Sequence, residues 1–104
     1  MKVQVNGKIQ KVKFKQECSL SGKQFRPDYD TKYGIYQKEV LTYDCTFVIN
    51  NQRYEGLTKV VSKPELPAIN KETYWAVPGS TRKFYREKDI IEYLQKNSVK
   101  PTSL

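Results

Sequence analysis

Apolar and polar positions alternate along most of this chain, and the alternation is that of strands rather than helices. The clearest stretch is VLTYDCTFVINNQRYEGLTKVV. Leu41, Tyr43, Cys45, Phe47 and Ile49 share one face of a strand, and Thr42, Asp44 and Thr46 the other. Asn50-Asn51 reads as a two-residue turn, which sets Phe47 opposite Tyr54, Cys45 opposite Gly56, Tyr43 opposite Thr58 and Leu41 opposite Val60. At the N-terminus, KVQVNGKIQKVKFKQ carries Val3 and Val5 before Asn6-Gly7, a strong hairpin signal. Ile9 and Val12 are out of phase, so a bulge or re-start is expected near Gln10.

Residues 18–38 read as an irregular connection, with turns at Ser21-Gly22 and Arg26-Pro27-Asp28 and a strand starting near Tyr33. Pro64 and Pro67 mark a loop that ends the central hairpin. Short strands follow at Tyr74–Val77 and Arg82–Tyr85, separated by Pro78-Gly79. Ile90, Ile91 and Leu94 then fall at helical spacing, with Glu87 and Asp89 before them and Lys96 after, which suits the helix dipole over Glu87–Lys96. Phe84, Ile90, Ile91 and Leu94 are expected to close one side of the sheet. The expected fold is α+β: a small antiparallel sheet or partly open barrel of about five or six strands with one C-terminal helix. Residues 1–97 form one compact β-rich domain in this reading and 98–104 a flexible C-terminal tail, with Asn97-Ser98 ending the helix.

Length and composition agree with one folded domain. The chain has 104 residues, 38% hydrophobic and 12% aromatic, with eight Tyr, four Phe and one Trp, too much apolar material for a disordered chain. It lacks histidine entirely, and with it the usual general base and the commonest metal ligand. Ser19, Ser21 and Ser80 have no base partner and no nucleophile elbow. Gly79-Ser80-Thr81 lacks phosphate-loop spacing. Asp28 and Asp30 are explained by turn chemistry more simply than by a cation site. Cys18 and Cys45 match no zinc pattern. No catalytic residue, metal or cofactor is assigned. The absence of a signal peptide or long apolar run leads to the expectation of a reducing cytoplasm, free thiols and no membrane partner, with a Cys18–Cys45 disulfide as the lesser alternative.

The formal net charge is +8, which attracts phosphate polymers or acidic proteins. Residues 1–26 contribute +6, residues 27–66 contribute −1 and residues 67–104 contribute +3. Two surfaces follow. With Val12 and Phe14 inward, Lys11, Lys13 and Lys15 form an outward comb, and together with Arg82, Lys83, Arg86 and Lys88 they are the candidate nucleic-acid contacts. Lysine on exposed strands also serves to block sheet-to-sheet aggregation. In KQFRPDYDTKYGIYQK, Phe25, Arg26, Tyr29, Tyr33 and Tyr36 form an aromatic–basic interleave suited to stacking unpaired bases or to anchoring a protein partner. At least one of these rings is expected to face outward.

The turn, cationic segment and helix in YWAVPGSTRKFYREKDIIEYLQ resemble the wing-and-helix end of excisionase-like winged-helix proteins over about twenty residues. That family reads DNA with a preceding helix-turn-helix, where this chain has a strand and two prolines. The functional expectation is a non-enzymatic binding module with a basic face for nucleic acid or a nucleic-acid-bound protein. The alternative is a small protein-interaction module, such as an inhibitor or accessory protein of a phage or plasmid, acting through a Tyr/Trp/Arg hot spot. A homo-oligomer joined through open strand edges is a third reading.

Overall fold

A computed structural model describes residues 2–5 and 7–96. Among these residues six strands form two antiparallel sheets, and one helix follows them. The first sheet is the N-terminal hairpin of β1 (Lys2–Val5) and β2 (Lys8–Lys11), with Val3 opposite Gln10. Gly7 takes a φ of +80°, the left-handed conformation that a tight turn needs and glycine adopts without steric cost. The phase break expected near Gln10 appears as a re-start after Lys11. Ile9 faces solvent, while Val3 and Val12 are buried.

The second sheet runs in the order β3 (Phe14–Asp30), β4 (Gly34–Ile49), β5 (Gln52–Pro64) and β6 (Glu72–Ala76). It is open, with β3 and β6 at its edges, so the barrel alternative does not hold. Residues 18–38 are therefore not an irregular connection. They are the far part of a long hairpin, turned at residues 31–33. The residues that looked like breakers are tolerated by their positions. Ser21 is an extra residue bulged out of β3 between Leu20 and Gly22, its hydroxyl donating to the Thr42 carbonyl at 3.2 Å. Pro27 lies on an edge strand, where its missing N–H need not serve a second neighbour.

Asn50 and Asn51 have φ of 49° and 67°, the left-handed pair of a two-residue hairpin turn. Phe47 faces Tyr54 as expected, but the rest of the register is one residue off. Cys45 faces Leu57, Tyr43 faces Lys59 and Leu41 faces Val61. The cause is a bulge that places Glu55 and Gly56 opposite Thr46, with Gly56 at φ +78°. The bulge turns Leu57 inward, where it is 1% exposed.

The helix α1 spans Glu87–Lys96 and buries Ile90, Ile91 and Leu94. Phe84, paired with Trp75 by an isolated bridge in place of a full strand, completes that layer as expected. The core joins these side chains to Val3, Val12, Cys45, Phe47, Ile49, Tyr54 and Leu57. Full burial of each large apolar side chain contributes about 1.5–3 kcal/mol. Two polar ties orient the helix. Gln16 Nε2 donates to Glu87 Oε1 at 3.2 Å, and the Gln4 N–H donates to Glu92 Oε1 at 2.9 Å.

Helix and N-terminal hairpin cover only one end of one sheet face. The β3–β4 arm extends past them, and the molecule measures 44 × 30 × 22 Å. The expectation of free thiols is corrected at this boundary. Cys18 and Cys45 face each other across β3 and β4 and are joined by a disulfide. The long hairpin, read from the sequence as a loop, is what brings them together. No described helix is long and apolar enough to cross a membrane. The region 98–104 and the helix end at Asn97-Ser98 lie outside the described residues.

Candidate functional site

The seven candidate nucleic-acid cations do not gather on one surface. Lys11 ends β2 and Lys13 lies in the connector, and both border a shallow hollow with Asn50 and Asn51. The Lys13 N–H donates to Asn50 Oδ1 at 2.9 Å, and the Asn50 N–H donates back to the Lys13 carbonyl at 2.9 Å. Lys15 belongs to the other sheet and pairs with Glu17 at 3.3 Å. The comb is broken because the chain re-starts at Val12-Lys13. Arg82 lies over the rings of Phe84 and Tyr93 at 4.6 and 5.7 Å, and Lys83 over Tyr74 at 4.7 Å. Arg86 is gripped by both oxygens of Asp89 at 3.0 and 3.1 Å, and that carboxylate raises the guanidinium pKa further. Lys88 is exposed on α1.

The aromatic–basic interleave is divided differently. Successive strand residues point to opposite faces, and directly paired residues share one. Phe25 and Tyr29 therefore stand on the face that carries the helix, and Arg26 and Tyr36 on the far face. Tyr33 sits in the arm's turn, where Asp30 Oδ1 accepts the N–H groups of Lys32 and Tyr33 at 2.8 and 3.0 Å. Lys32 covers the Tyr33 ring at 5.4 Å. The expectation of an outward ring is met at three positions, with Phe25 at 65% and Tyr29 at 66% exposed and Tyr33 also exposed.

On the helix face, successive rows of cross-strand neighbours run from the arm's tip toward the core. Tyr29 is beside Ile35, Pro27 beside Gln37, and Phe25 beside Glu39 and Lys63. Lys23 is beside Leu41 and Val61. Leu20, Tyr43, Lys59 and Trp75 form the last row before the covered half. Lys23 lies over the Phe25 ring at 5.5 Å and pairs with Glu39 at 3.4 Å. Lys59 lies over Tyr43 at 5.8 Å and Trp75 at 5.5 Å. The charged strand residues of this face are thus Lys23, Lys59 and Lys63 against Glu39 alone. The far face sets Lys15, Arg26, Lys38 and Arg53 against Glu17, Asp28, Asp30, Asp44, Glu55 and Glu72. The sheet is electrically two-sided, and the positive side carries the exposed rings.

The far face holds a polar hollow of about 290 Å³ between Arg26 and Asp28 on one rim and Tyr74 and Lys83 on the other. There Asp28 Oδ2 accepts from Lys38 Nζ at 2.9 Å and from the Tyr36 hydroxyl at 3.3 Å. The Lys38 hydrogen bond, then the Tyr29 N–H, holds the Asp28 carboxyl below its ordinary pKa. The same bond raises Lys38. Desolvation, then the Asp28 charge, raises Tyr36. These groups neutralise one another and tie β3 to β4.

Among the described residues no cluster of three or more Cys, Asp or Glu could hold a metal ion. Lys59 and Lys63 were missed at the sequence level, although a signal existed. They fall in phase with Leu57 and Val61 once Gly56 is read as a bulge. Neither of the strands leading to Pro78 supplies the helix-turn-helix of the winged-helix resemblance. No protein-family model matches the chain, and comparison with curated proteins and with solved structures finds no match either. Function has to be read from the surface itself.

Proposed function

We propose that this chain is a non-enzymatic binding module that takes nucleic acid, or a protein carrying nucleic acid, on the open half of the helix face. One observation carries the reading. Two rings, 65% and 66% exposed, share a face with Lys23, Lys59 and Lys63 while nearly all strand acids lie on the opposite face. Lysines in such a field neutralise phosphates and release their counterions. Exposed rings beside them add contact area that phosphate pairing alone does not use. The basic face of this proposal differs from the Lys11, Lys13, Lys15 comb.

A protein partner is the second reading, favoured by Ile35. It is 76% exposed and directly opposite Tyr29, and an aliphatic side chain gains most in a dry protein pocket. A small inhibitor or accessory protein would use the same arm. Self-association is disfavoured by the net charge of +8 and by the bulge at Ser21 and Pro27 on the open edge of β3.

Fluorescence anisotropy with labelled single-stranded DNA, duplex DNA and RNA at about 50 and 200 mM salt tests the proposal. Several phosphate contacts require affinity to fall by a power of ten or more across that range. No binding of any probe at the lower salt would leave the protein reading in its place.

A further inference from the structure

We infer that the ligand of this face is a single strand, with unpaired bases stacked on Phe25 and Tyr29 and its backbone tracked by the lysines of β5. This rests on the nucleic-acid reading above and narrows it. Alternate residues on one face of a strand are about 6.6–6.8 Å apart, so the two rings stand about 13 Å apart along β3 with Pro27 between them. That is about four times the 3.4 Å step of stacked bases. Neighbouring bases of a duplex cannot meet both rings while stacked on each other. A strand whose bases splay apart can.

The cations are placed to match. Lys63 shares the row of Phe25 two strands away, about 10 Å across the sheet, and Lys59 stands two rows closer to the core, beyond Val61. Bases therefore lie toward β3 and phosphates toward β5. A duplex buries its base faces in the stack and offers only edges and phosphates, and extracting a base costs a few kcal/mol. Ile35, opposite Tyr29, adds an apolar border beside the second stacked base. The preference is for strandedness and is sequence-tolerant, because every base has a flat face.

The test compares a 12-nucleotide thymidine strand, a duplex of equal length and an abasic strand of equal length, the last keeping the phosphates without bases. Binding is read by anisotropy and by the fluorescence of Trp75, whose ring lies 5.5 Å from the Lys59 amino group. The thymidine strand is expected to bind at least tenfold tighter than either of the others. Phe25→Ala and Tyr29→Ala should each weaken it by about 5- to 150-fold, the range for losing one base–aromatic stack, and leave abasic binding unchanged. Both rings are exposed, and circular dichroism checks that the fold survives. Equal affinity for thymidine and abasic strands would overturn stacking while sparing the nucleic-acid reading. Binding to none of the three would overturn both.

Discussion

Cys18 and Cys45 lie directly opposite each other in the β3–β4 ladder, 27 residues apart in sequence, with Cα atoms 4.2 Å apart, and a disulfide joins them. The bridge stands one row from Leu20 and Tyr43, where the covered half of the helix face gives way to the open half. It pins the two strands of the arm at the point where the core stops supporting them.

Reduction should therefore destabilise the protein. A cross-link closing a loop of this length contributes about 3–4 kcal/mol in the chain-entropy account. Urea unfolding with and without a dithiol reductant measures it. A midpoint that does not move would mean that the bridge adds nothing to stability.

The bulge at Gly56 is testable by substitution. Leu57→Ala should cost about 2–5 kcal/mol, as for other buried leucines, and Val60→Ala, half-buried on the far face, clearly less. The unbulged register would reverse that order. Gly56→Ala should cost about 1–2 kcal/mol, because Gly56 has φ +78° and an added Cβ would meet Pro78 Cγ at 3.3 Å.

Much of this fold is legible in the chain, and the failures have physical causes. The bounds of α1 follow from Ile90, Ile91 and Leu94 with charges placed for the dipole, and the Asn50-Asn51 turn and the Phe47–Tyr54 pair follow from local chemistry. Ser21, Gly22 and Pro27 suggest a loop because each weakens a central strand, yet β3 is an edge strand and accommodates all three. That at least one ring of the interleave faces outward was legible in the sequence; which rings do, and which of them share a face, was not. That depends on a register that a single bulged residue shifts, and the same holds for Lys59 and Lys63 beyond Gly56.

The Asp28–Lys38–Tyr36 group gives the arm a pH dependence of definite sign. Asp28 has a lowered folded pKa, so its contribution is complete above its unfolded pKa of about 3.9. It is lost as pH falls through the lower folded value. Lys38 has a raised folded pKa, so its contribution is complete below about 10.4 and is lost as pH rises through the folded value. Thermal unfolding of the wild type and Asp28→Asn should converge in strong acid and separate near neutrality. Parallel curves across the whole range would remove this group from the account.

Under the proposed function, location on the open helix face, and not total charge, confers binding. The most direct test pairs two double variants of identical net charge, Lys59→Gln with Lys63→Gln and Lys11→Gln with Lys13→Gln, after circular dichroism has checked both folds. Affinity for a labelled thymidine 12-mer is measured from about 50 to 200 mM salt. The first pair should lose tenfold or more at the lower salt, with its log–log salt slope flattened by about 0.7 for each phosphate contact removed. The second pair should stay close to wild type. Equal losses in the two pairs, or a larger loss in the second, would contradict the claim and return the binding surface to net charge or to the N-terminal lysines.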